Sequence, residues 1–141
     1  MTIIRPSAGP KSAVSGTALR FKVPATPAAV RPARRRVLAK LRSWGVEEHE
    51  DFSYDVLLVL SELLTNAIVH GSGPLAVGVE LDIDRVIVEV FDGNSRGPVQ
   101  GKAGTDDENG RGLSVVSAVS LSQGCEDWPP GKRCWSVLQI P

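Results

Sequence analysis

Three polar residues in an otherwise apolar stretch give the clearest sign of chemistry in this sequence. Glu62, Asn66 and His70 recur every fourth residue, so on a helix they fall along one line. Most of the other positions of this predicted helix are apolar: Leu57, Leu58, Val59, Leu60, Leu63, Leu64, Ala67, Ile68 and Val69. A helix that is apolar nearly all round is expected to be buried, and buried polar groups cost free energy unless something satisfies them. The thin polar line therefore indicates a bound ligand or ion.

Two other segments supply groups that could act at the same place. Asp92 ends a predicted strand, and an ionised carboxylate only accepts hydrogen bonds, which suits the exocyclic amino group of adenine. Gly110 and Gly112 open a predicted helix, where bare backbone amides and the helix dipole can hold phosphates. Glu62 could take a proton from a hydroxyl, and the amide oxygen of Asn66 suits Mg²⁺. Taken singly, Gly110 and Gly112 are better explained as turn glycines, and Asp92 as a turn residue at a strand end.

Other common kinds of site do not fit the sequence. The Gly71–Ala76 segment nearly matches the dinucleotide fingerprint but follows a helix and precedes a strand, the reverse of the required order. The Gly97–Lys102 segment is one residue short of a phosphate loop, and Ala103 stands where a hydroxyl is needed. Two histidines and two well-separated cysteines give no zinc pattern, and no serine has a nucleophile-elbow context.

The elements that would position these groups follow from apolar periodicity. The predicted order is β-α-α-β-β-lid-α-β-β, an α+β two-layer sandwich with helices on one face of a mixed, mainly antiparallel sheet. The first helix opens at Thr26-Pro27, has its apolar positions from Val30 to Trp44 and ends at Gly45. The predicted strands are Leu19–Val23, Ala76–Leu81, Arg85–Phe91, Leu121–Trp128 and Arg133–Ile140.

Two segments are expected to lie outside this regular framework. Residues 1–18 lack an apolar period and are predicted to be a disordered tail, which leaves 19–141 as one domain. Residues 93–110 contain almost no apolar side chains. A stretch of this length within a compact domain is typical of a lid over a ligand.

Composition limits the possible partners. The 141-residue chain has a formal net charge of zero, so no general attraction to nucleic acid or membrane is expected. No apolar run is expected to span a membrane and no signal-peptide pattern opens the chain, so we expect a cytoplasmic protein. Cys125 and Cys134 flank a predicted hairpin turn and could face each other. In that compartment they are expected to be reduced thiols.

The first helix carries a concentration of positive charge. Its cations are Arg31, Arg34, Arg35, Arg36, Lys40 and Arg42. One interpretation is a solvated face balanced by the acidic residues that follow the helix. The other is a docking patch for an acidic or phosphorylated protein partner. The sequence leaves both open.

Three segments, in this order, resemble the motif boxes of the GHKL (Bergerat-fold) ATPases: Glu62–Gly71, Val90–Gly93 and Gly110–Leu113. The chain is most similar to the small anti-sigma factor serine kinases and stand-alone ATP-binding regulatory proteins of actinobacteria. The Phe21–Pro24 segment and the arginine-rich helix fit that subgroup, and the resemblance covers residues 19–141.

The resemblance implies ATP and Mg²⁺ as cofactors and a role for each box. Glu62 would be the general base, Asn66 the Mg²⁺ ligand and Asp92 the adenine contact. Gly110, Arg111, Gly112 and Leu113 would lie at the hinge of the ATP lid, near the phosphates.

The resemblance also implies a function. The protein would be an ATP-dependent serine kinase that phosphorylates an anti-anti-sigma protein and sequesters a sigma factor, and it could form a homodimer. The alternative is a partner-switching module with the same pocket but weak or absent catalysis. Two departures from the family pattern motivate it. Asn94 replaces a second glycine of the adenine box, and Arg133 replaces a threonine that helps to bind adenine.

Overall fold

The computed structural model describes residues 17–46, 49–70, 73–93 and 115–141. Two helices and five strands follow one another along these residues, and residues 115–119 are also helical. The elements are β1 (Ala18–Val23), a 3-10 turn (Pro27–Ala29), α1 (Val30–Ser43), α2 (Glu50–His70), β2 (Leu75–Asp82), β3 (Arg85–Asp92), β4 (Ser122–Trp128) and β5 (Gly131–Gln139). All five predicted strands are therefore present, with ends that differ by no more than two residues.

The strands form one sheet in the order β1-β2-β3-β5-β4, and each neighbouring pair is antiparallel. Alternate residues of the central strand, Val86, Val88 and Val90, face a core in which they are at most 2% exposed. Helix α2 packs across β3 and β5, and α1 packs on α2 and β1. The α+β class with helices on one face of the sheet is confirmed.

Helix α1 is amphipathic, and its inner face includes a cation. Ala33, Val37 and Leu41 are buried, and Gly45 follows the helix with a φ of 78°, a left-handed conformation that glycine adopts without strain. The Nη1 group of Arg34 donates hydrogen bonds to the Leu57 carbonyl (3.1 Å) and to the Ser61 hydroxyl (2.6 Å) of α2. Arg34 therefore joins the two helices and does not belong to an outward docking patch.

Helix α2 is less completely buried than its apolar sequence predicts. Nine of its residues are buried, and the Leu57, Leu60 and Leu64 side faces the core as expected. However, Tyr54 is 62% exposed and Val69 is 63% exposed, so one line of the helix faces solvent. The expectation of a helix buried nearly all round was wrong, because the sheet covers only one side of it.

The same helix corrects the expectation that no apolar run could span a membrane. By length and composition alone, α2 is long and apolar enough to cross one. Half of its most apolar window is buried inside this fold, and core helices of soluble proteins pass the same test. Length and composition are thus weak support for a membrane span.

The β4–β5 hairpin brings the two cysteines together. Cys125 is the direct cross-strand partner of Cys134, their Cα atoms are 4.0 Å apart, and the two sulfurs form a disulfide. The expectation of reduced thiols was therefore wrong. It rested on the presumed compartment, whereas the strand register sets the distance between the two side chains.

Candidate functional site

The candidate site begins at the end of the central strand. Asp92 is the last residue of β3, and strand alternation puts its side chain on the same face as Val90 and the helices. The residue is only 6% exposed. Its Oδ2 atom accepts no hydrogen bond from the described residues, although the side chain has other interactions. Asp92 is thus a buried carboxylate on the helical face of the sheet.

Chain connectivity brings the polar line of α2 to this same end of the sheet. Helix α2 ends at His70, and β2 begins five residues later at Leu75, the cross-strand partner of Asp92. Glu62 and Asn66 lie one turn apart in the second half of the helix, and both are half-buried. His70 is exposed at the helix end. The structure therefore groups Glu62, Asn66 and Asp92 on one side of the sheet.

The predicted lid and its hinge cannot be placed. Gly93 is exposed directly after β3, and the chain is described again from Val115, with Val116 fully buried in the core. Gly110, Arg111, Gly112, Leu113 and Asn94 all lie outside the described residues. Their roles remain predictions.

Arg133 does not face the candidate site. It is the cross-strand partner of Phe91, and its side chain lies on the face of the sheet opposite the helices, where it is 2% exposed. The partner of Asp92 is Lys132, which shares its face. The comparison with the family pattern considered only the residue type at position 133 and therefore missed Lys132. Alternation counted back from the predicted turn would have found it.

A buried ion network lies on the helix-free side of the sheet. Oε1 of Glu89 accepts from Nε of Arg133 at 2.7 Å, and its Oε2 accepts from Nη2 of Arg20 at 2.9 Å. Nη1 of Arg133 also donates to Glu126 at 3.0 Å. We call these four residues the sheet network. The signal for it was a single charge, Glu89, within the apolar run of β3.

The only resolved change in acidity among the described residues lies on α2, two turns before Glu62. Burial raises the pKa of the Asp55 carboxyl, and the charge of Asp51, four residues earlier, raises it further. Asp55 lies seven residues before Glu62 and is not part of the polar line.

The sequence model for the family described as the histidine kinase-like ATPase domain matches residues 23–123, more than two thirds of the chain. None of the curated proteins matches the chain significantly.

Eleven chains of known structure match this one. Among them is the histidine kinase AdeS of Acinetobacter baumannii, with a TM-score of 0.50 and 13% sequence identity over 62% of this chain. The match spans 47% of the AdeS chain, so this protein corresponds to about half of that structure. At this identity the likeness supports the fold alone. The family match and the antiparallel sheet with its helical layer lead to one assignment: the chain belongs to the histidine kinase-like ATPase domain family of GHKL-type ATPases.

Proposed function

We propose that this protein is an ATP- and Mg²⁺-dependent serine kinase that phosphorylates an anti-anti-sigma protein and sequesters a sigma factor in the cytoplasm. ATP binding is the general property of the family. One observation carries the assignment of the site: the buried carboxylate of Asp92 lies on the helical face of the sheet, in register with the first residue of the strand that follows α2.

The donor set fits an adenine nucleotide. A carboxylate accepts hydrogen bonds only, so a buried Asp92 favours a ligand that presents an N–H donor, such as the amino group of adenine. Burial also strengthens such a hydrogen bond, because water competes for it less. Lys132, on the same face and next to Asp92 in register, adds a positive charge beside the site.

The described residues fit a Mg²⁺ ion that the protein and the nucleotide bind together better than a metal ion that protein side chains bind alone. Among the described residues, no three His, Cys, Asp or Glu side chains are close enough to hold a metal ion. Mg²⁺ usually takes one or two protein oxygens together with substrate phosphates and water, so the Asn66 amide oxygen would serve as its protein ligand. Bound ATP would supply the phosphoryl group, with Mg²⁺ balancing its charge.

The partial exposure of Glu62 supports a role as the base that acts on a hydroxyl arriving from outside. Its side chain is half-buried, so it is neither closed inside the core nor fully solvated. As general base, the Glu62 carboxylate would accept the proton of the partner's serine hydroxyl.

The surface beside α1 supports a role in binding an acidic partner. A cavity of about 330 Å³ lies between β1 and the start of α1. Its lining is mainly apolar, including Phe21 and Ala33, with Lys22 and Arg36 also contributing. Arg31 and Arg35 are exposed on the same helix. An acidic segment with an apolar anchor, or a phosphorylated one, would match this surface.

Nucleotide binding is tested by Asp92→Asn. Exchange of the carboxylate for an amide should weaken Mg²⁺·ATP binding about 10- to 100-fold, because a charge-assisted hydrogen bond is lost. Isothermal titration calorimetry measures the affinity. Asp82→Asn, at the exposed far end of β2, is the matched control and should bind like wild type. Equal affinity of all three proteins would remove Asp92 from the site.

Catalysis is tested by Glu62→Gln. The variant should bind ATP normally but lose phosphate transfer by 10²-fold or more, because the serine proton has no acceptor. Transfer of labelled phosphate to candidate anti-anti-sigma proteins gives the rate. Full transfer by the variant would refute the role of Glu62. ATP binding by wild type without any transfer would favour the partner-switching module.

A further inference from the structure

We propose that Cys125 and Cys134 form a thiol–disulfide exchange site whose state regulates the affinity of the candidate nucleotide site. Small-molecule thiols of the cell would reduce the bond, and small-molecule disulfides would form it again. Exchange at the cysteines does not depend on the nucleotide site, whereas the effect on affinity rests on the proposed function. Two features of the β4–β5 hairpin carry the proposal: the exposure of the bond and its register with Asp92.

The disulfide is open to solvent on one side only. Cys125 lies on edge strand β4 and is exposed, whereas Cys134 on β5 is half-buried and packs against the hydrophobic core. Exposed disulfides are the ones that cellular thiols reduce and that act in regulation. In the reducing compartment proposed for this protein, disulfides are usually transient and redox-sensing. Cys125 is therefore the expected point of attack.

The hairpin does not need the bond in order to form. β4 pairs with β5 along its whole length. Between the cysteines and the turn, Nη1 of Arg133 donates to Glu126 across the two strands at 3.0 Å. The Trp128 ring also meets Phe91 of β3 edge to face, with ring centroids 5.7 Å apart. Both redox states are thus compatible with the same fold, as a reversible switch requires.

The exchange reaction balances with two equivalents of thiol. A thiolate attacks Sγ of Cys125, the bond between the two protein sulfurs breaks, and Cys134 takes up the proton that the attacking thiol gave up. A second thiolate attacks the small-molecule sulfur of the mixed disulfide and releases Cys125 as its thiol. Two electrons pass from the small thiols, which end as a disulfide, to the protein bond. The reverse sequence, with a small-molecule disulfide as oxidant, forms the bond again.

The bond lies one row away from the buried carboxylate of the candidate site. Cys125 and Cys134 are cross-strand partners on the helical face of the sheet. The next row on that face, about 7 Å further along the strands, consists of Asp92, Lys132 and Asp127. Half-buried Lys132 therefore has a carboxylate opposite it on each neighbouring strand.

The bond holds Asp127 opposite Lys132. Asp127 lies on the edge strand between the disulfide and the turn, so it is fixed on both sides while the bond is intact. When the bond opens, this end of β4 frays more readily and Asp127 lies opposite Lys132 less of the time. The Lys132 ammonium is then attracted to Asp92 alone and competes with the adenine amino group for it. Reduction should therefore weaken ATP binding.

Titration of the full chain in mixtures of reduced and oxidised glutathione tests the exchange. The chain, alkylated and counted by mass spectrometry, should change from mostly reduced to mostly bonded as the oxidised form replaces the reduced one. The Cys134→Ser variant should acquire glutathione at Cys125 faster than Cys125→Ser acquires it at Cys134, since only Cys125 is exposed. A bond that stays intact in about 10 mM reduced glutathione, or that does not form in about 10 mM oxidised glutathione, would overturn the proposal.

Calorimetry with Mg²⁺·ATP tests the regulation. Oxidised wild type should bind about three- to fivefold more tightly than reduced wild type, the change expected for one surface ion pair. The Cys125→Ser, Cys134→Ser double variant should bind like reduced wild type in every buffer. Asp127→Asn should bind weakly even when oxidised, whereas Asp82→Asn, exposed on β2, should keep the redox dependence. By reciprocity, saturating ATP should shift the glutathione midpoint by the same factor.

The regulation and the proposed function fail in different ways. Equal ATP affinity of oxidised and reduced wild type would overturn the regulation and leave the nucleotide site intact. A redox dependence that Asp127→Asn retains would overturn the coupling through Lys132. Absence of ATP binding in both redox states would refute the proposed function together with its regulation, and the glutathione titration would still decide the exchange.

Discussion

The Glu89 carboxylate is the central charge of the sheet network, with a side chain only 5% exposed. Each of its oxygens accepts from a different arginine, Arg20 on one side and Arg133 on the other. An ion pair removed from water gains little net stability, but a single charge left behind is costly. Position 89 is therefore expected to tolerate substitution poorly, even though the intact ion pairs contribute little net stability.

Glu89→Gln should lower the free energy of unfolding by about 3–5 kcal/mol, because Arg133, itself 3% exposed, loses its main counter-charge. Urea denaturation measures the change. Glu80→Gln, on the same sheet face but half-exposed, is the control and should stay within about 0.5 kcal/mol of wild type. A loss of the same small size in both variants would show that Arg133 finds solvent or another partner.

At the scale of elements, the β4–β5 hairpin is held by a covalent link as well as by its ladder. β4 is an edge strand and pairs with β5 alone among the described strands. The disulfide joins residues nine positions apart across the turn. A short closed loop of this kind restricts the unfolded chain, which is the main source of stabilisation in the chain-entropy account.

Reduction of the disulfide should lower the free energy of unfolding by about 2–3 kcal/mol, the value expected for a loop of roughly ten residues. Urea denaturation with and without dithiothreitol measures the difference. The Cys125→Ser, Cys134→Ser double variant should match reduced wild type and should not respond to the reductant. Free thiols in protein purified without reductant would contradict the bonded state.

Local pattern and register explain which elements could be predicted. The β2–β3 hairpin follows from two apolar runs and the turn between Asp82 and Arg85, all of them local signals, and it was predicted correctly. The exposed line of α2 and the disulfide depend on what packs beside them, which no local pattern records. The sheet face on which Arg133 lies falls between these two cases. It can be predicted from strand alternation, but only once the turn at Pro129 has been located.

The candidate site divides in the same way. Spacing on one helix was enough to place Glu62 and Asn66 together. The position of Asp92 on the helical face, paired with Leu75, required the β2–β3 register. The sheet network joins strands that are far apart in the sequence. The sequence alone shows only that Glu89 is a single charge within an apolar run.

At the scale of the whole molecule, the two faces of the sheet have different tasks. The helical layer holds the candidate nucleotide site and the cationic surface of α1, and the opposite face holds the sheet network. Helix α2 is the element that both the core and the site require. Its leucines at positions 60 and 64 are fully buried, so withdrawing the helix would expose the whole helix-facing side of β3.

This arrangement predicts that the folded chain does not insert into bilayers, although α2 has the length and composition of a membrane span. Transfer of α2 to lipid would give up the burial of its core side without a compensating gain, since that side is already removed from water. In flotation with neutral phosphatidylcholine vesicles, the folded chain should remain at the bottom of the gradient. Neutral lipid matters here, because the cations of α1 would bind an anionic surface without insertion. Chain diluted from urea into the same vesicles is the control and should float in part, since its α2 segment is exposed. Flotation of the folded chain would show that α2 leaves the sheet readily, and the candidate site that depends on its position would lose its support.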